Sequence, residues 1–164
     1  MYASLSDHKA RQAALAATVR AIRLHRGMGV SEMAAAMQMP MRSYQHFEAG
    51  RGRLNLDTLF AFAKATQSDP IALLNAVLLR EPTLAVRCAD NGLAAAMMLA
   101  LERFNGASGA LIPKLRSHAI VKVFQDAFDA LEKEASRPDP TAEWIAELLD
   151  GKHRTDDGSA PPSE

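Results

Sequence analysis

Apolar residues recur every three or four positions through most of this chain, and no alternating run or strand-turn-strand signal interrupts them, so the pattern predicts an all-α fold. A first helix is expected from about Lys9 to Arg26, closed by Gly27. A short second helix follows, with Met33, Ala34 and Met37 as its apolar stripe and Ala35 and Ala36 small enough for close packing. Pro40 disfavours α conformation at Met39, which stops that helix and starts a third after a tight turn. The third helix, about Met41 to Ala49, places Tyr44 and Phe47 on its inner side and turns Met41, Arg42, Ser43, Gln45 and His46 outward. Gly50 closes it, Asn55 caps a fourth helix reaching about Thr66, and Asp69-Pro70 opens a fifth over IALLNAVLL.

Arg80-Glu81-Pro82 punctuates the chain, and the expected division is a domain over residues 9–80, a helical region over 81–150 and a disordered tail over 151–164. In the second part, Leu93, Met97, Leu101 and Phe104 form one stripe, preceded by Asp90-Asn91-Gly92 and ended by Asn105-Gly106. Ser117 can cap a stronger amphipathic helix whose apolar face carries Ile120, Phe124, Ala127, Phe128, Leu131 and Ala135. A last short helix around Trp144, Ile145, Leu148 and Leu149 needs a surface to bury against, within the chain or at an interface.

The second and third helices are short, joined by a tight turn, and the third ends in Glu48-x-Gly50: this is a helix-turn-helix arrangement, suited to placing one helix in the major groove of DNA. The residues that carry the motif extend further. Arg20 and Arg23 lie on the first helix, Met33-Ala34 stand where a Leu-Ala pair is usual, and Leu56 and Leu59 follow on the fourth helix. With these, residues 19–74 resemble the lambda repressor/Cro/XRE family, which implies a five-helix DNA-binding domain followed here by a small C-terminal helical region. By that resemblance, contacts to bases or nearby phosphates fall on Met41, Arg42, Ser43, Gln45 and His46, loop phosphate contacts on Arg51 and Arg53, and a structural ion pair on Arg23 and Glu48. Three positions depart from the family pattern. Gly29 and Val30 replace the usual Ser or Thr with Gln, leaving Ser31 as the hydroxyl near that helix start, and Gln38 occupies the usual turn glycine.

Among these residues Arg42 is the sharpest specificity candidate, because a guanidinium can donate a bidentate pair to guanine worth about 1–3 kcal/mol of discrimination. His46 reads either as a donor to base or phosphate or as a polar residue near a helix end. Tyr44 and Phe47 have core spacing, and the methionines at 28, 33, 37, 39 and 41 read as core filling rather than metal ligands.

Charge points the same way. The chain is formally neutral with 19 basic and 19 acidic residues, yet residues 11–66 carry eight basic against three acidic side chains, and those from 67 onward ten against fifteen. Phosphate binding requires local positive potential, and an acidic second part is repelled from a duplex. Cys88 is the single cysteine, which excludes an intramolecular disulfide and a cysteine-based zinc site within one chain. Five dispersed histidines show no metal spacing and the Gly-x-Gly fragments follow no strand, so neither a catalytic centre nor a cofactor is expected. The longest apolar run, Leu93 to Leu101, is too short for a bilayer, and the charged N-terminus lacks a signal pattern; a cytoplasmic, nucleoid-associated protein is expected. The reading is a bacterial or phage-type transcription regulator binding a pseudo-palindromic operator as a homodimer. Its alternative is a DNA-tethered interaction module whose residues 81–150 engage a toxin, a coactivator or RNA polymerase.

Overall fold

The computed structural model describes residues 8–51 and 54–137. Among them, eight α-helices and no strand occur: α1 (His8–His25), α2 (Val30–Ala36), α3 (Met41–Glu48), α4 (Leu56–Ala65), α5 (Pro70–Leu79), α6 (Pro82–Arg87), α7 (Leu93–Ser108) and α8 (Ser117–Ala135). A 3-10 segment over Gly109–Lys114 precedes α8. Arg53, the Trp144 helix and the tail from 151 lie outside the described residues. The chain divides into two compact units, one ending at Ala110 and one beginning at Leu111.

In the first unit the apolar stripes of α1 to α6 meet in one core. Val19 and Ile22 of α1, Met33 of α2, Tyr44 of α3, Leu59 and Phe62 of α4, and Leu73 and Val77 of α5 are fully buried. Met28, Val30 and Met39 pack against this cluster with Met33 and Met37 inside it, so four of the five neighbouring methionines fill the core while Met41 is half exposed. Asn55 caps α4 through its side-chain oxygen, which accepts from the Thr58 N–H at 3.0 Å.

The core does not stop at Arg80-Glu81-Pro82, where the sequence suggests a boundary. Arg80 takes a left-handed conformation, Glu81 becomes an N-cap, and Pro82 starts α6, which packs on α1 and α5 and buries Ala85. The residues that look like punctuation reverse the chain onto its own core. Two other sequence expectations shift. Helix α7 runs through Asn105-Gly106 to Ser108, because nothing crowds Gly106 and an isolated glycine is tolerated in a helix. Ser117 is the first residue of α8 and makes no cap bond; Arg116 holds the N-cap position.

Asp69 does more than cap α5. One carboxylate oxygen accepts from the N–H groups of Ile71 (2.8 Å) and Ala72 (3.2 Å), and the other accepts from the Ala95 N–H at 2.9 Å, in the first turn of α7. One largely buried acid thus satisfies the orphan donors of two helices and fixes the root of α7 against α5. Beyond that root, α7 is exposed from Ala96 to Ala107. In the second unit every residue of α8 is exposed, its apolar stripe included.

Candidate nucleic-acid interface

Helix α3 has eight residues, too short to be stable alone, so its position depends on what grips its inner side. Tyr44 is fully buried, and the Phe47 ring bridges the Tyr44 and Phe62 rings at centroid distances of 6.3 and 5.8 Å. Edge-tilted aromatic packing of this kind fixes the helix against α4. Glu48, 6% exposed, accepts at Oε1 from Arg23 Nε at 2.8 Å, and Arg23 Nη1 donates to the Met28 carbonyl at 2.9 Å. One guanidinium therefore ties the end of α3 to α1 and to the loop before α2. Arg20, one turn earlier and exposed, brings its Nε within 4.0 Å of the same carboxylate.

Burial and the neighbouring Glu48 carboxylate push the Tyr44 phenol up to about 12, with Arg23 pulling in the opposite direction. The hydroxyl feels both charges but forms no well-aligned hydrogen bond.

Both ends of α3 are built tightly. At its start, Pro40 accepts from the N–H groups of Ser43 and Tyr44. At its end, the Gly50 N–H bonds to the Phe47 carbonyl and the Arg51 N–H to the His46 carbonyl, each at 2.9 Å, the paired bonds of a Schellman motif. Gly50 has φ +65°, and a Cβ there would collide with the Gln12 carbonyl of α1. Glycine is required on both counts, and the close approach anchors the base of the exit loop carrying Arg51.

With its inner side so held, α3 exposes Met41, Arg42, Ser43, Gln45 and His46, and Arg51 is exposed just beyond. These side chains form one uncovered polar flank with a cation near each end. Ser31 is also exposed, in the first turn of α2. There the Glu32 carboxylate accepts from the Gly29 N–H at 3.2 Å, occupying the backbone donor at the N-cap of α2. Sequence reading missed this role; its signal is a glutamate three residues after the N-cap, half of a capping box.

The turn joining α2 to α3 is closed by Gln38 at φ +52°, with the Met39 N–H bonded to the Ala34 carbonyl at 3.0 Å. Gln38 thus holds a left-handed conformation that glycine adopts without strain, at a cost of about 1–2 kcal/mol for a residue with a side chain.

Not every cation in the basic half is free to meet DNA. Arg26 donates through Nη2 to Asp90 at 2.5 Å and to the Gln67 carbonyl at 3.0 Å, so it fastens the end of α1 to the turns before α5 and α7. The hydrogen bond from Arg26 holds the Asp90 carboxyl below its usual range. Among the described residues no group of three or more His, Cys, Asp or Glu gathers as metal ligands would, and no helix is long and apolar enough to cross a membrane. A pocket of about 340 Å³ is lined by His8, Arg11, Gln12, Leu15 and Leu54.

Residues 19–73 match a protein-family model described as Helix-turn-helix. This segment is a helix-turn-helix domain of the lambda repressor/Cro/XRE type. The match covers α2 to α5's first residues and the part of α1 that holds Arg20 and Arg23; α6, α7 and α8 lie beyond it. No curated protein and no solved structure matches the chain. The helix-turn-helix domain makes the first unit a DNA-binding regulatory module, with α3 in the position of the second helix of the motif.

Proposed function

We propose that this chain is a sequence-specific transcription regulator of bacterial or phage type, acting at the nucleoid in the cytoplasm, that lays α3 in the major groove of a pseudo-palindromic operator and binds as a homodimer. The observation that carries this reading is the uncovered flank of α3, where Met41, Arg42, Ser43, Gln45 and His46 are exposed while Tyr44 and Glu48 are locked inside. Arg42 reads a base edge, with Gln45 and His46 as further donors to base or phosphate. Arg51 and Arg53 bind phosphates on the exit loop, and Ser31 does so beside α2, where Glu32 already occupies one backbone donor. An eight-residue reading helix touches few bases, and a second copy on the other half-site supplies the missing affinity.

Titration of a fluorescent duplex, selected from random sequence by the full chain, tests the surface. Arg42→Ala is expected to weaken binding by about 1–3 kcal/mol and relax preference at one base pair, and Arg51→Ala to weaken all sequences alike and lower the salt slope by about 1. Wild-type affinity in both variants at physiological salt would refute the assignment. The second reading is a DNA-tethered module that neutralises a toxin or contacts a coactivator or RNA polymerase, and the exposed apolar side chains of α7 and α8 favour it. Transcription in vitro separates the two: a regulator changes initiation at its own operator with no further protein added.

A further inference from the structure

Four of the five side chains exposed on α3, those of Arg42, Ser43, Gln45 and His46, form strong hydrogen bonds; the fifth, Met41, has no donor and accepts only weakly. Met41 is 50% exposed, and no other large apolar side chain is exposed on α2 or α3. The neighbouring methionines behave differently: Met33 and Met37 lie in the core, and Met28 and Met39 pack against it. Isolated apolar residues on a surface need no explanation, but Met41 is the first residue of α3, at the end where a helix in the major groove meets base edges.

The direction of Met41 is set by the contacts that hold the helix. Tyr44, three residues on, is fully buried, and the Pro40 carbonyl accepts from the Ser43 and Tyr44 N–H groups at 2.9 and 3.1 Å. The first turn therefore cannot rotate Met41 inward without drawing Tyr44 out of the core. Residues four apart share a face of a helix, which divides the exposed flank into two rows, Met41 with Gln45 and Arg42 with His46.

Base edges in the major groove are hydrogen-bond donors and acceptors with one exception, the C5-methyl of thymine. A thioether set against a polar edge would strip its water and return no hydrogen bond, whereas against the methyl it buries apolar surface on both sides. An unbranched side chain with three rotatable bonds adapts to so small a target. Gln45, in the same row, suits the N6 and N7 of adenine, whose partner is thymine, while Arg42 in the other row suits guanine. A methyl at the same ring position distinguishes 5-methylcytosine from cytosine, so a side chain that reads it in one base can read it in the other.

We propose that Met41 reads the 5-methyl group of a pyrimidine in the half-site, thymine or methylated cytosine. This rests on the reading of α3 as the major-groove helix and adds to it an apolar contact. In the fluorescent duplex selected by the full chain, each thymine of a half-site is exchanged singly for deoxyuridine, which removes the methyl and leaves every hydrogen-bonding edge in place. One exchange is expected to weaken binding about fourfold, the factor that burial of one such group supplies. At the same position, 5-methylcytosine is expected to bind about fourfold more tightly than cytosine. Met41→Ala should lose both differences with helicity unchanged, since the side chain is outside the core, and Met41→Leu should keep them.

A difference in either pair of bases that vanishes in Met41→Ala upholds the contact and tells which source of the methyl it accepts. No difference in either pair, or a difference that survives in Met41→Ala, would overturn it. Weaker binding by Arg42→Ala in that case leaves the major-groove reading standing. Wild-type affinity in both Met41→Ala and Arg42→Ala would overturn the contact and that reading together.

Discussion

Helices α4 and α8 are both amphipathic, yet Leu59 and Phe62 of α4 are fully buried while Phe124 and Phe128 of α8 are about half exposed. The difference lies in what faces each stripe, and the first unit surrounds its stripes with five other helices. Hydrophobic periodicity announces that a face will be buried; it does not say by which molecule. For α1 to α6 the answer is the chain itself, while most of α7 and all of α8 stay exposed.

Substitutions at matched residues test that contrast most strongly. Phe62→Ala should cost about 3–5 kcal/mol in chemical denaturation, as expected for an emptied core position. Phe128→Ala should cost under about 0.5 kcal/mol in the same titration at concentrations low enough to keep the chain monomeric. A large loss from Phe128→Ala in the monomer would mean that α8 is packed within its own chain.

The ion pairs of the two regions give the next contrast. Glu48→Ala leaves the Arg23 guanidinium, whose side chain is only 12% exposed, without its carboxylate, and a loss of about 3 kcal/mol is expected. Lys122→Ala breaks a pair whose side chains are 74% and 61% exposed, and the melting curve should move by less than about 0.5 kcal/mol. Equal losses would show that the α3 anchor is no more desolvated than a surface pair.

Alkaline unfolding separates the regions by chemistry. The native Tyr44 phenol has its pKa raised to about 12 against an ordinary 10.0, so the folded state holds the proton more tightly. Its contribution is fully present below about pH 10 and is lost as pH rises through 12, roughly 2 kcal/mol of destabilisation by pH 12. Tyr44→Phe should flatten that part of the stability–pH profile, and an unchanged slope would contradict the buried setting. The smallest effect expected is at Gln38, where Gln38→Gly relieves a left-handed side chain at φ +52° and should stabilise the first unit by up to about 1 kcal/mol.

Much of the DNA-binding half could be read before any coordinates. The stripe Met33, Ala34, Met37 is buried, Arg23 bonds to Glu48, and the outward set on α3 is exposed, because each depends on helical spacing within a short segment or on the family register. The departures were just as local in origin but longer in reach. Leu56, a family-pattern position, is 49% exposed while Leu59 is buried, since the N-cap at Asn55 sets which residue of the first turn looks inward. Glu81-Pro82 reads equally well as a break or as a helix start, and only the proximity of α1 and α5 favours α6. The roles of Arg26 and Asp69 depend on partners 64 and 26 residues away, separations at which side-chain type carries no address.

The sequence by itself determined the helices, the face each presents, the caps at Asn55 and Asp69, and the polar flank of α3, since these follow from backbone sterics and a period of 3.6 residues. Only the tertiary structure decided that α6 belongs to the core, that Arg26 is consumed in holding turns together, and that Glu32 occupies the start of α2. It alone also showed α7 beyond Ala95, up to Ala107, and all of α8 to be exposed. Burial and charge pairing depend on which surfaces meet, and that is a property of the packed chain rather than of any one segment.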